Sequence, residues 1–174
     1  MIGRRRLLAG ALGLAAPALL AKEALASAPR HLSLLNLHTG EKLAATYFEG
    51  GRYVPDALAA LDRVLRDHRT GDVHPMAPGL LDLVAGLAGQ VGRPDAVQVI
   101  SGYRSPASNA ALHANSSGVA TRSLHMRGMA MDLRIPGVSL ARLRDTAVAL
   151  GRGGVGYYPG SDFVHVDVGK VRHW

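Results

Sequence analysis

The chain has 174 residues, 48% of them hydrophobic, a formal charge of +7 and no cysteine. That length supports one domain with a substantial core and leaves little room for a second. Without cysteine, disulfides, a thiol nucleophile and a thiolate metal site are all excluded, so any metal must be held by histidine and carboxylate.

Met1 to Ala26 has the three-part build of an export signal. Arg4-Arg5-Arg6 is the positive region, Leu7 to Leu20 the apolar run, and Ala24-Leu25-Ala26 a small-x-small cleavage site. The run is short for a membrane span and Pro17 interrupts it, so the sequence predicts a removed signal and a mature domain over 27–174 with no stable span. Arg4 to Leu8 also resembles the twin-arginine pattern, a route for proteins folded before export. Losing Arg4, Arg5, Arg6, Lys22 and Glu23 would leave a charge of +4, which suits an anionic partner such as the cell-wall polymer. Scattered arginines and 5% aromatics argue against nucleic acid.

Past the signal, His31 to Leu37 reads as a strand, with Lys42 to Phe48 as its partner across the turn at His38 to Glu41. Pro55 to Arg69 carries Leu58, Leu61, Val64 and Leu65 at helical spacing. A second helix follows over Leu80 to Leu87 and stops near Gly89 to Gly92. Val97 to Ile100 is a short buried strand, Pro106 to Ala114 a short helix, and Asn115 to Ser123 a loop. Met129 to Ile135 alternates as a strand, and Leu140 to Leu150 is helical. Val155 to Tyr158 and Phe163 to Val168 then form an antiparallel pair around Pro159-Gly160.

Three residues stand out as a ligand set. Alternation puts His165 and Asp167 on one strand face, and Asp132 on one face of another strand. His125 precedes Asp132 by seven residues, and Gly128 permits the sharp approach that swings it back. Singly each histidine reads as a surface or hydrogen-bonded residue; together with the carboxylate they read as a metal site. Zinc held by three protein groups keeps a position for water and activates it, which points to a metal-dependent hydrolase. Two acids compete for the base: Asp162 at the turn entering the last strand, and Asp167, whose other role would be to orient a ligand imidazole. Arg104 leaves the buried strand in Ser-Gly-Tyr-Arg-Ser, where a guanidinium suits an oxyanion or a substrate carboxylate. Tyr103, Tyr157 and Tyr158 read as packing residues, with room for one to line a cleft. His31, His38, His68, His74, His113 and His173 lack the acid-and-strand setting and read as structural or exposed.

Ser123, His125, Gly128, Ala130 and Asp132 complete the pattern Ser-x-His-x-x-Gly-x-Ala-x-Asp, and Asp162 stands three before His165. This resembles the zinc peptidases of the D-Ala-D-Ala carboxypeptidase type, peptidase family M15. It is similar in particular to an exported subgroup known as a conserved domain of unknown function, akin to murein endopeptidases of the Gram-negative periplasm. Asn36 to Glu41, Arg69-Thr70-Gly71, Ser101 to Pro106, Gly153 to Tyr158 and Phe163 to Asp167 carry the narrower likeness. The resemblance implies an α+β fold of the Hedgehog and DD-peptidase type, a small antiparallel sheet flanked by helices. It implies zinc on His125, Asp132 and His165, Asp162 as base, Arg104 as carbonyl or carboxylate binder, and peptidoglycan stem peptides or cross-links as substrate in the periplasm. Asp162 departs from the Glu of many members and has a shorter reach. The rival reading is a non-catalytic, metal-containing module that binds cell-wall peptides; a metal-free structural protein is the third.

Overall fold

Alternation along the strands decides the architecture. Leu32 and Leu34 point inward from β1 (Arg30–Asn36), which a turn joins to β2 (Lys42–Glu49) and the short β3 (Arg52–Tyr53). The computed structural model describes residues 28–95, 97–115 and 120–174; the expected signal over 1–26 and its twin-arginine motif lie outside them. Helices α1 (Pro55–Val64) and α2 (Pro78–Gln90) both start on proline, whose missing N–H costs nothing at a first turn. After them come β4 (Val97–Ser101), α3 (Pro106–Asn115), β5 (Ala130–Arg134) and α4 (Leu140–Leu150). The chain ends with β6 (Gly154–Tyr158), β7 (Phe163–Asp167) and β8 (Arg172–His173).

The strands form one sheet in the order β3-β2-β1-β4-β5-β7-β6-β8. The fold is α+β, as expected, and the sheet is larger and more mixed than the pattern suggested. β1 pairs parallel with β4 and β6 parallel with β8, while the other pairings are antiparallel. The β1–β4 pairing is possible because α1 and α2 supply the long crossover that parallel neighbours need. Met131 and Leu133 of β5 and Val164 and Val166 of β7 join the core with Leu61, Leu80 and Leu143 of the helices. The alternate residues of β5 and β7 are therefore left for the opposite face, where the site is built. No helix among the described residues is long and apolar enough to cross a membrane.

Helix α1 ends at Val64, short of the expected Arg69. The reason is Asp67, whose fully buried carboxylate accepts the backbone N–H groups of Arg69 (2.9 Å) and Ser105 (2.8 Å). An aspartate that binds nearby backbone donors competes with helix continuation. It also ties this turn to the segment carrying Arg104.

A second acid, partly buried, clamps the sheet to α2. Asp82 accepts from Arg30 (2.6 Å), Tyr53 (2.8 Å) and Tyr47 (3.0 Å). Burial alone would raise its pKa, but the Arg30 and tyrosine hydrogen bonds outweigh burial and hold it below the ordinary 3.8. A carboxylate lowered on folding stabilises the protein above its unfolded pKa, and the benefit is lost as pH falls through the folded value. Asp82→Asn should therefore flatten the fall of Tm with acidification below about pH 4. An unchanged acid limb would count against this linkage.

Candidate active site

The sheet itself positions two of the three expected ligands. Asp132 of β5 lies directly opposite His165 of β7 in the antiparallel register. Directly opposed residues share a face with Cβ atoms about 5 Å apart, so both side chains rise from the same spot. His125 arrives from a single 3-10 turn, Leu124–Arg127, where the Ser123 side chain accepts the His125 N–H. Gly128 closes that turn at φ +63°, and a Cβ there would sit 2.2 Å from the Pro75 carbonyl oxygen. Gly128→Ala should cost about 3 kcal/mol, or roughly 6–12 °C in Tm for a domain of this size. A thermal melt within 2 °C of wild type would refute the close approach.

The three ligand atoms form a small triangle. His125 Nε2 lies 3.2 Å from His165 Nδ1, and Asp132 Oδ1 lies 2.8 Å from His165 Nδ1 and 3.3 Å from His125 Nε2. Ligands about 2.0–2.1 Å from a tetrahedral zinc are spaced roughly 3.3 Å apart, so the triangle fits that ion. The outward ring nitrogens fix the tautomers. His125 Nδ1 donates to the Gly102 carbonyl (2.7 Å) and His165 Nε2 to Asp167 Oδ2 (3.1 Å). Both partners accept only, so in the neutral rings the inward nitrogens carry lone pairs. Two lone pairs and a carboxylate oxygen converging at this distance can hold a cation among them. His125, Asp132 and His165 are, among the described residues, the group able to hold a metal ion.

The charges agree with that geometry. Burial pushes the Asp132 pKa up, but the adjacent His125 and His165 overcome it and leave the carboxyl well below its usual range. Burial pushes His165 down, and its bonds to Asp132 and Asp167 more than reverse that. The cluster is thus electrostatically arranged for added positive charge.

The two candidate bases fall in different places. Asp167 is wholly buried and its carboxylate accepts from Gly154, Gly169, Arg172 and His165. These bonds overcome the effect of burial and keep its pKa low. Asp162 adopts a left-handed conformation (φ 54°) and pairs with Arg134, its side chain 63% exposed. Arg104 lies beside the triangle, Nη2 3.7 Å from Asp132 Oδ2, with its buried Nε lacking a protein partner. Its pKa is lowered chiefly by burial. Of the remaining histidines, His31 bonds Thr46, His38 stacks on His68, and His74 stacks on Tyr103.

A cleft of about 540 Å³ opens over the triangle, walled by Arg104, Tyr158, Phe163, Arg172 and Trp174. The family described as "Peptidoglycan L,D-endopeptidase MepK" matches residues 24–174. The chain belongs to this peptidase family. A relative with that name from Escherichia coli (strain K12) is 47% identical over 146 residues, covering 84% of this chain and 80% of the relative. A "Probable peptidoglycan L,D-endopeptidase MepK" from Haemophilus influenzae is 43% identical over 147 residues, covering 84% and 79%. No solved structure matches. As a member of the family the chain is a hydrolytic peptidase, a murein endopeptidase of the M15 type.

Sequence reasoning did not assign Arg172 and Trp174 to this peptidase's cleft. Arg172 opens a strand two residues long and Trp174 follows it, and an Arg-x-Trp triplet has no periodicity to mark it. Tyr158, allowed for as a lining residue, does reach the cleft.

Proposed function

We propose that this protein is an exported, periplasmic zinc peptidase that cleaves L,D amide bonds in peptidoglycan cross-links. The observation that carries the reading is the triangle of His125 Nε2, Asp132 Oδ1 and His165 Nδ1, with outward hydrogen bonds that leave three acceptors facing one point. His125, Asp132 and His165 would hold the ion, which supplies Lewis acidity toward a carbonyl and a water nucleophilic near neutral pH.

The chain's own groups do the rest. Arg104, half stripped of partners at the edge of the triangle, binds the carbonyl oxygen as negative charge develops on it. Asp162 takes the proton from the attacking water and returns it to the leaving amine, which requires it to exchange Arg134 for the cleft. Asp167 is unsuited to that task because its oxygens are already committed to Gly154, Gly169, Arg172 and His165. It orients the His165 ring instead. A mature charge of +4 favours approach to an anionic wall.

The test is mass spectrometry of the products released from defined cross-linked muropeptides by zinc-loaded protein. New amine and carboxyl ends at the L,D cross-link are expected. Intact cross-links after prolonged incubation with zinc-loaded protein would reject the reading. Release of a terminal residue only would make it a carboxypeptidase.

A further inference from the structure

The Tyr158 hydroxyl, like the Arg104 Nε, lies in the cleft with a proton and no acceptor among the described residues. The indole Nε1 of Trp174 donates to the Tyr158 hydroxyl at 2.8 Å. An indole N–H can only donate, so the Tyr158 oxygen is the acceptor and its own hydrogen must turn elsewhere. No described residue receives it, and Tyr158 lines the cleft over the ligand triangle.

The backbone explains how the ring gets there. Tyr158 stands opposite Phe163 and two residues along β6 from Gly156, which itself lies opposite His165. Residues two apart on a strand share a face, so Tyr158 and His165 belong to the same side of the sheet. Gly156 lets the aromatic side chains lie down beside His165. A Cβ at this position would come within 2.7 Å of the Tyr158 ring and 2.8 Å of the Trp174 ring. The Trp174 ring is 5.4 Å from that of His165, and the Tyr158 ring stacks on Phe163 at 4.6 Å. Across the sheet the order is β4, β5, β7, β6, so Arg104 and Tyr158 flank Asp132 and His165 from two sides.

We propose that Tyr158 is a further catalytic residue, donating its hydroxyl hydrogen bond to the scissile carbonyl oxygen as that oxygen gains negative charge. Trp174 is its positioning residue. No proton is transferred; the bond strengthens as charge accumulates, which is how a preorganised donor lowers a barrier. The assignment rests on the peptidase reading above.

Tyr158→Phe keeps the ring and its stack on Phe163 and removes only the donor. It should lower kcat for muropeptide cleavage roughly 10- to 100-fold, with KM within about twofold. Bound metal, measured by elemental analysis, should match wild type. Trp174→Phe removes the orienting N–H while leaving Tyr158 in place, and a smaller fall in kcat, roughly 3- to 10-fold, is expected. Unchanged kcat in Tyr158→Phe with full metal content overturns the proposal, as does a loss confined to KM. If Tyr158→Phe fails to fold, Trp174→Phe decides, and wild-type kcat there rejects the orientation argument. Should the wild type leave the cross-links intact, the peptidase reading falls and takes the Tyr158 assignment with it. An active wild type with an equally active Tyr158→Phe removes the Tyr158 assignment alone.

Discussion

His165→Ala is expected to lose both metal and turnover, with cleavage of cross-linked muropeptides falling by three orders of magnitude or more, roughly 4 kcal/mol in the barrier. His165 contributes the nitrogen closest to Asp132, at 2.8 Å, and its ring is held from behind by Asp167 at 3.1 Å. Removing it leaves two ligands, too few to fix a zinc ion in the geometry that activates water. A chelator should produce the same loss in the wild type, and added zinc should restore it there. The variant should not recover. Asp162→Asn provides the contrast: metal retained, turnover lost. Elemental analysis beside a cleavage assay separates the cases. Full activity of the chelated wild type would end the metallopeptidase reading, and metal loss in Asp162→Asn would move that residue from proton carrier to ligand support.

Asp167→Ala is expected to have the next largest effect, and on two properties at once. The carboxylate is fully buried and receives Gly154 N–H at 3.0 Å, Gly169 N–H at 2.8 Å and Arg172 at 2.7 Å. Truncation strands those donors, two of them backbone groups, and should destabilise the domain by about 3 kcal/mol. Arg172 is nearly half exposed and can find water, so most of the loss comes from the two amides and the His165 ring. Without its acceptor that ring loses its tautomer and its aim, and zinc affinity should fall roughly 10- to 100-fold. Denaturant unfolding of the metal-free protein measures the first effect and a zinc-competition titration the second. If stability falls while zinc affinity holds, Asp167 is a structural acid without influence on the metal group.

The meeting of Asp132 and His165 was legible in the chain because strand alternation carries it. Met129 to Ile135 sets core residues against Asp132 on the other face, Phe163 to Val168 sets them against His165 and Asp167, and the pairing of the two strands places Asp132 opposite His165. Gly128 marked the return of His125 for the same kind of local reason. Less visible were features made by distant partners. Asp67 ends α1 five residues before Arg69 by bonding Ser105, 38 positions away, and apolar spacing contains nothing of that. The parallel pairings of β1 with β4 and β6 with β8 depend on crossovers, and β3 and β8 are too short for any period to register. The choice between Asp162 and Asp167 needed the hydrogen bonds of each carboxylate. The Asp167 oxygens are bonded to Gly154, Gly169, Arg172 and His165, whereas the Arg134 partner of Asp162 comes from 28 residues upstream.

Asp132 and His165 occupy facing positions of neighbouring interior strands, so their separation is set by the ladder of main-chain hydrogen bonds between β5 and β7. Prying them apart means breaking that ladder, an event close to global unfolding in cost. Amide hydrogens of these strands should accordingly be among the slowest to exchange with deuterium. His125 alone rides on a one-turn segment off the sheet. Its placement therefore rests on the packing of that turn, through the Gly102 carbonyl and the close approach of Gly128 to Pro75, and not on the strand ladder.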